Sequence, residues 1–148
     1  MIREVRREDL DSLLELYLHL HDKCIPAHDE TLAGTWDKIL ENDDYHLIVC
    51  EEDGRIVSSC TCIIVPNLTR TVRPYALIEN VVTHPDYRNK GLAGDCLAYA
   101  KKIAMENDCY KLMLMTGSKD PATLRFYERN GYSSKDKTAF ALWINMEY

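Results

Sequence analysis

Six consecutive residues, Arg88, Asn89, Lys90, Gly91, Leu92 and Ala93, form the segment of this chain best suited to chemistry. They stand between a strand-like run, Tyr75 to Thr83, closed by Pro85, and a helix-like run in which Leu92, Cys96, Leu97, Ala100, Ile103 and Ala104 share one face. A strand that turns directly into a helix aims several unpaired backbone N–H groups, and the positive end of the helix dipole, at a single spot. That spot suits an anion. Gly91 would let the backbone approach a phosphate without a Cβ in the way, and Arg88 and Lys90 would add positive charge. A pyrophosphate matches the combination. The phosphate loop GxxxxGK[ST] and the dinucleotide fingerprint GxGxxG need other spacings, since the chain offers only Gly91-Leu-Ala-Gly94. On these residues alone, a plain connection between strand and helix stays open beside an anion site.

Other chemistry-bearing groups point less clearly. His19, His21, Cys24 and His28 crowd four metal-ligating side chains into one stretch, but their spacing matches no zinc pattern and no metal is expected there. Cys60 and Cys62 project from the same face of one strand, which suits core packing better than a redox pair. With no CxxC among its six cysteines, the chain reads as a protein with free thiols in a reducing compartment.

The elements that must position these residues are legible as periodicities. Ile2 to Arg6 alternates like a strand, and Leu10, Leu13, Leu14, Tyr17 and Leu20 recur at helical spacing. A second helix over Leu32, Trp36, Ile39 and Leu40 is expected behind a Thr31 cap. Tyr45 to Cys50 and Ile56 to Val65 flank Asp53-Gly54 as a hairpin would. Leu112 to Met115 reads as a further strand. Asp120 before Pro121, with Gly131 after Asn130, brackets a helix from Pro121 to Asn130, and Ala139 to Met146 reads as a last strand. This order predicts an α/β (α+β) chain with a mixed sheet and helices on its faces.

Composition sets the outer limits. A chain of 148 residues, 46% hydrophobic, is long enough for one core, so residues 1–148 are expected to form a single domain. The net charge of −6 argues against a general nucleic-acid binder, which needs excess Lys and Arg to displace counterions. Met1 to Arg7 is charged with no apolar stretch behind it, so neither a secretory signal nor a membrane span is expected, and the location is read as cytoplasmic.

The turn, written Arg88-Asn-Lys-Gly91-Leu-Ala93 and preceded by Val82-Thr-His-Pro85-Asp-Tyr87, resembles the Arg-x-x-Gly-x-Gly/Ala signature of the GNAT superfamily of N-acetyltransferases. Phe126-Tyr127-Glu128-Arg-Asn-Gly131-Tyr132 resembles that family's C-terminal helix signature, so the similarity spans about the last half of the chain. Ile78-Glu-Asn-Val-Val, Tyr87-Arg-Asn-Lys-Gly and Cys109-Tyr-Lys are also similar to glucosamine 6-phosphate N-acetyltransferases. The resemblance implies a mostly antiparallel sheet flanked by helices and splayed at the strand before the turn. It implies acetyl-coenzyme A as acyl donor, its pantetheine arm lying between Asn80 to Thr83 and Leu112 to Met115.

By alignment to that turn, the Val81 N–H would bond the acetyl carbonyl and Thr83 would bond the pantetheine, both with backbone groups freed by the splay, Val82 would lie beside the coenzyme between them, and Arg88 to Ala93 would hold the pyrophosphate. Asp120 stands where the family often has an Asn that touches the coenzyme, and Tyr127, matching the family tyrosine, would donate its phenolic proton or at least a hydrogen bond to the departing thiolate. Attack needs a neutral amine, and Glu79, two residues from Val81 on the same side of an unbulged strand, is the candidate base. The alternative for Glu79 is a structural ion pair with Arg73 or Lys111. Asn80, Arg70 and Arg73 border the implied acceptor cleft, where the two arginines would suit an acidic or phosphorylated acceptor if they are more than solvated loop charges. The expected reaction is direct transfer to the primary amine of a small molecule, without a metal, with an amino-sugar phosphate or a non-catalytic acyl-coenzyme A sensor as alternatives. Family members often pair through their C-terminal strands, so the resemblance also admits a homodimer.

Overall fold

Runs rich in apolar and β-branched residues give five strands in a computed structural model that describes residues 1–145 and divides into two units, Met1–Leu114 and Met115–Tyr148. In the first unit, β1 (Ile2–Glu4), β2 (Tyr45–Glu52), β3 (Arg55–Val65), β4 (Tyr75–Thr83) and β5 (Leu112–Leu114) lie side by side in chain order. All neighbours are antiparallel except β4 and β5, which run parallel because helix α3 (Leu92–Glu106) crosses between them. The β2–β3 turn is built as the Asp-Gly pair predicts, with Asp53 at φ 52° and Gly54 at φ 74°.

Both faces of the sheet are covered. Helices α1 (Leu10–Tyr17) and α2 (Glu30–Glu41) bring Leu13, Leu16 and Trp36 onto Leu47, Val49, Ile56 and Val82. Helix α3 lays Cys96, Leu97 and Ala100 on the other face. Strand β3 is therefore buried on both sides, including Ser58, Ser59 and Thr61. Helix α2 begins earlier than the Thr31 cap predicts. Asp29 is the cap, its Oδ1 accepting from the Leu32 N–H at 3.0 Å, because a carboxylate ahead of the helix outcompetes the hydroxyl inside it. Beyond Tyr17 the chain continues in tight turns that keep Leu20 against the core.

A largely buried charge network ties the first strand to the hairpin. Arg3 holds Asp9 with two bonds, 2.7 and 2.9 Å, and Glu51 at 2.7 Å, while Asp9 also accepts from the Arg6 N–H at 2.6 Å. The guanidinium holds the Asp9 carboxyl below its ordinary range. Stability from this group is complete above the ordinary carboxylate range and is lost as pH falls through the lowered native value. Asp9→Asn is expected to cost about 3 kcal/mol at pH 7, the order seen when one partner of a buried pair is removed. The gap to the wild type should narrow as pH falls below the ordinary carboxylate range, as read by urea denaturation at neutral and at acid pH.

In the second unit, α4 (Pro121–Arg129) starts as predicted, with Asp120 Oδ1 accepting from the Ala122 N–H at 2.9 Å, and stops at Gly131, φ 92°. The predicted strand over Ala139 to Met146 is not formed by residues 139–145, and Met146 lies outside the described residues. Phe140, Leu142, Trp143 and Ile144 are instead exposed. Strand propensity is realised only when a neighbouring strand takes up the backbone groups, and none of the described strands does so here.

Candidate functional site

Strand β4 outruns its neighbour. Its pairing with β5 covers only Ala76 to Ile78 against Leu112 to Leu114, while β4 itself continues to Thr83. From Glu79 onward, the β5 side of β4 has no strand partner among the described residues, which leaves its backbone groups without a ladder to bond, although the Thr83 carbonyl accepts from Arg88. The resemblance places Leu112 to Met115 across this opening, but Leu112 to Leu114 pair instead with Ala76 to Ile78.

The same stretch is bulged. Thr61 pairs with Glu79 and Ser59 with Val82, so Cys60 faces both Asn80 and Val81, and Asn80 sits at φ 51°. Asparagine tolerates this left-handed conformation better than its β-branched neighbours would. The bulge overturns the expectation that Glu79 and Val81 share a side by simple alternation. Glu79 shares the face of its cross-strand partner Thr61, toward α1, and Val82 rejoins the core on that face, whereas Thr83 turns toward α3. No hydrogen bond or ion pair holds Glu79 among the described residues.

Beyond Thr83, a short 3-10 turn, Pro85–Tyr87, is capped by His84, whose Nδ1 accepts from the Asp86 N–H at 3.2 Å. Burial first, and the nearby Arg55 charge second, hold the His84 imidazole below its usual range and favour this neutral, accepting form. Arg88 Nε donates to the Thr83 carbonyl at 3.3 Å, and Lys90 Nζ lies 4.9 Å from the Tyr87 ring centre. Asn89 at φ 61° and Gly91 at φ 80° then swing the chain into α3. Gly91 is the helix cap and brings no side chain to bond the first amides, so the N–H groups of Leu92, Ala93 and Gly94 are free to bind an anion. A Cβ on Gly91 would meet no atom within 4 Å outside its chain neighbours.

The remaining candidates are placed as follows. Arg73 is engaged by Asp108, 3.3 Å from its carboxylate, and by the Asp108 and Cys109 carbonyls. Arg70 and Lys111 both lie against the Tyr110 ring, and Lys111 also against Tyr75. The loop carrying the two arginines turns left-handed at Arg70, Thr71 and Val72, with the Asn67 amide bonding Thr69 and the Arg73 carbonyl. In the second unit, Tyr127 packs against Phe126 and Tyr132, and Asp120 serves as the cap of α4. Of the crowded histidines, His28 bonds Asp11 at 2.8 Å and His19 stacks edge-on against His84. Among the described residues no group of three potential ligands is placed to hold a metal. Burial pushes the Cys60 thiol up, and those of Cys62 and Cys96 up to about 12, which leaves them without nucleophilic thiolate. A cavity of about 240 Å³, lined by Glu4, Ile39, Asn42, Tyr45 and His46 among others, lies at the β1–β2 edge with no residue of β4 or the turn in its wall.

Sequence reasoning missed the bulge, Thr61 beside Glu79, and Ser58 behind Thr83. The one available signal was Asn80, a turn-forming residue inside a β-branched run.

Comparison with known proteins agrees with this geometry. The model of the acetyltransferase (GNAT) family matches residues 10–132. A glucosamine 6-phosphate N-acetyltransferase from Trypanosoma brucei brucei is 32% identical over 137 residues, covering 92% of this chain and 90% of that protein. A solved chain from Agrobacterium tumefaciens str. C58, provisionally named an acetyltransferase, superposes with a TM-score of 0.90 at 38% identity, covering 97% of this chain and 99% of that one. A solved aminoglycoside N-acetyltransferase in complex with coenzyme A shares the fold, with a TM-score of 0.73 at 14% identity and coverage of 97% and 99%. Strand opening, bulge and glycine-led helix thus sit in a chain that belongs to the GNAT family, as an acetyltransferase that draws its acetyl group from acetyl-coenzyme A.

Proposed function

We propose that this chain acetylates the primary amine of a small molecule by direct transfer within a ternary complex. The observation that carries the reading is the bulged run from Glu79 to Thr83, without a strand on its β5 side, leading straight to the open amides of α3. A pantetheine arm can bond such a strand edge as a further strand would, with its pyrophosphate over Leu92 and Ala93 and beside Arg88, Asn89, Lys90 and Gly91.

In this scheme the Val81 N–H receives the thioester oxygen as negative charge develops on it. The amine nitrogen attacks the carbonyl carbon, its proton passes to Glu79 directly or through a water, and the carbon–sulfur bond breaks. The phenolic proton of Tyr127 then goes to the departing thiolate, an assignment that rests on the Phe126-Tyr127-Glu128 resemblance. No protein acyl intermediate is needed, in keeping with the raised thiols of Cys60, Cys62 and Cys96.

A specific acceptor is favoured by one comparison. The Trypanosoma relative named for glucosamine 6-phosphate spans nearly the whole chain, which makes that amino-sugar phosphate the first acceptor to test, with Asn80 and Arg70 proposed to meet it. Six free cysteines fit a reducing cytoplasm, and no described helix is long and apolar enough to cross a membrane. The exposed run at Phe140, Leu142, Trp143 and Ile144 fits pairing with a second copy as a homodimer. The test is thiol release from acetyl-coenzyme A in the presence of glucosamine 6-phosphate, glucosamine, polyamines, amino acids and peptide amines. Saturable turnover with glucosamine 6-phosphate but not glucosamine supports the phosphorylated acceptor, and no turnover with any amine, despite coenzyme binding, supports a sensor.

A further inference from the structure

The stretch of β4 beyond the bulge is held by more than its backbone. Ser58, fully buried on β3, places its hydroxyl oxygen 3.1 Å from the Val82 carbonyl, 2.8 Å from Thr83 Oγ1 and 3.9 Å from Cys96 Sγ on α3. It has three partners and one proton. A carbonyl can only accept, so the Ser58 hydrogen goes to Val82, and the short contact with Thr83 then requires the threonine to donate. Cys96, a neutral thiol, can donate weakly into the remaining lone pair. Thr83 is therefore fixed at its hydroxyl by Ser58 and at its carbonyl by Arg88. With its proton committed, Thr83 Oγ1 can only accept from a ligand.

The neighbouring serine makes the comparison sharp. Ser59 is equally buried, but its hydroxyl donates to the Ile48 carbonyl at 2.8 Å, on β2 and away from the opening. A strand covered on both faces is ordinarily a run of apolar residues, and each buried hydroxyl brings a desolvation cost that its hydrogen bonds must offset. Ser58 directs its bonds to the coenzyme strand and to the helix that begins at the turn.

We propose that Ser58 is a positioning residue for the coenzyme. It locks Val82 and Thr83 to the first turns of α3, so that the amide near the thioester and the amides over the pyrophosphate keep a fixed spacing, and it presents Thr83 Oγ1 as an acceptor for an amide N–H of the pantetheine. The inference rests on the reading that the coenzyme lies along β4.

Calorimetry with coenzyme A, beside thermal melts, on the wild type, Ser58→Ala, Ser58→Cys and Ser59→Ala tests it. Ser58→Ala is expected to weaken binding roughly tenfold, the effect of one lost buried hydrogen bond. Ser59→Ala should lower the melting temperature comparably yet bind within about twofold of wild type, and Ser58→Cys, whose thiol is only a weak donor and acceptor, should bind between Ser58→Ala and the wild type. A wild type that does not bind coenzyme A defeats the coenzyme reading itself. A wild type that binds while Ser58→Ala binds equally well, or while both serine variants weaken alike, overturns the role of Ser58 and leaves that reading standing. Should Ser58→Ala fail to fold, Thr83→Val removes the partner hydroxyl with little change of shape, and wild-type affinity in that variant overturns the inference equally.

Discussion

Gly91→Val is expected to yield a protein that still melts cooperatively but binds coenzyme A at least about 100-fold more weakly than wild type, a loss near 2.8 kcal/mol. Two physical effects separate here. At φ 80° a β-branched side chain is strained by roughly 1 to 2 kcal/mol, which the fold can relieve by drawing the residue out of the left-handed region. That relief moves the amides of Leu92 and Ala93, which the glycine now presents without a capping side chain. A Cβ at this position meets no atom within 4 Å outside its chain neighbours, so the substitution does not clash with the core. The penalty should therefore appear in calorimetry with coenzyme A far more than in the melting temperature. Wild-type affinity in a folded variant would mean that the pyrophosphate binds elsewhere.

What could be read from the sequence was what adjacent residues decide among themselves. Asp53-Gly54 and Asp120-Pro121 each carry their own conformational instructions, and both turned out as read. Gly91 between a strand and a helix is local in the same way, which is why the turn was legible before any neighbour was known. The bulge is different: Cys60 faces two residues only because β3 and β4 pair in one register, and register is a property of the pair. Asn80 hinted at it without specifying it. Ser58 carried no signal, since the polarity of its contacts depends on Val82, Thr83 and Cys96 arriving from two other elements. Residues 139–145 form no strand for the converse reason, as apolar, strand-prone residues do not supply the partner that a strand requires. Arg70 to Val72 turn left-handed with no glycine to announce it, alongside side-chain bonds from Asn67 that cross the loop.

For Glu79→Gln, kcat is expected to fall by about 100- to 1,000-fold, within the usual contribution of a general base. The KM for acetyl-coenzyme A should stay within about twofold, because the substitution leaves the backbone of β4 and the turn untouched. Glutamine keeps the length and much of the hydrogen-bonding capacity of glutamate beside Thr61, so the packing on the α1 face is preserved and the proton acceptor alone is removed. The pH profile adds a readout that a structural role would not produce. A carboxylate base works only when deprotonated, so wild-type kcat/KM should lose activity toward acid through two ionisations, the base and the amine that must be neutral to attack. In Glu79→Gln only the amine remains, and the acid limb should relax to a single ionisation. The structural alternative makes the opposite forecast, a lowered melting temperature with little change in kcat, and its proposed partners are otherwise occupied: Arg73 with Asp108 and Lys111 against Tyr75 and Tyr110. An unchanged kcat and an unchanged acid limb would remove Glu79 from the mechanism and leave proton transfer to solvent.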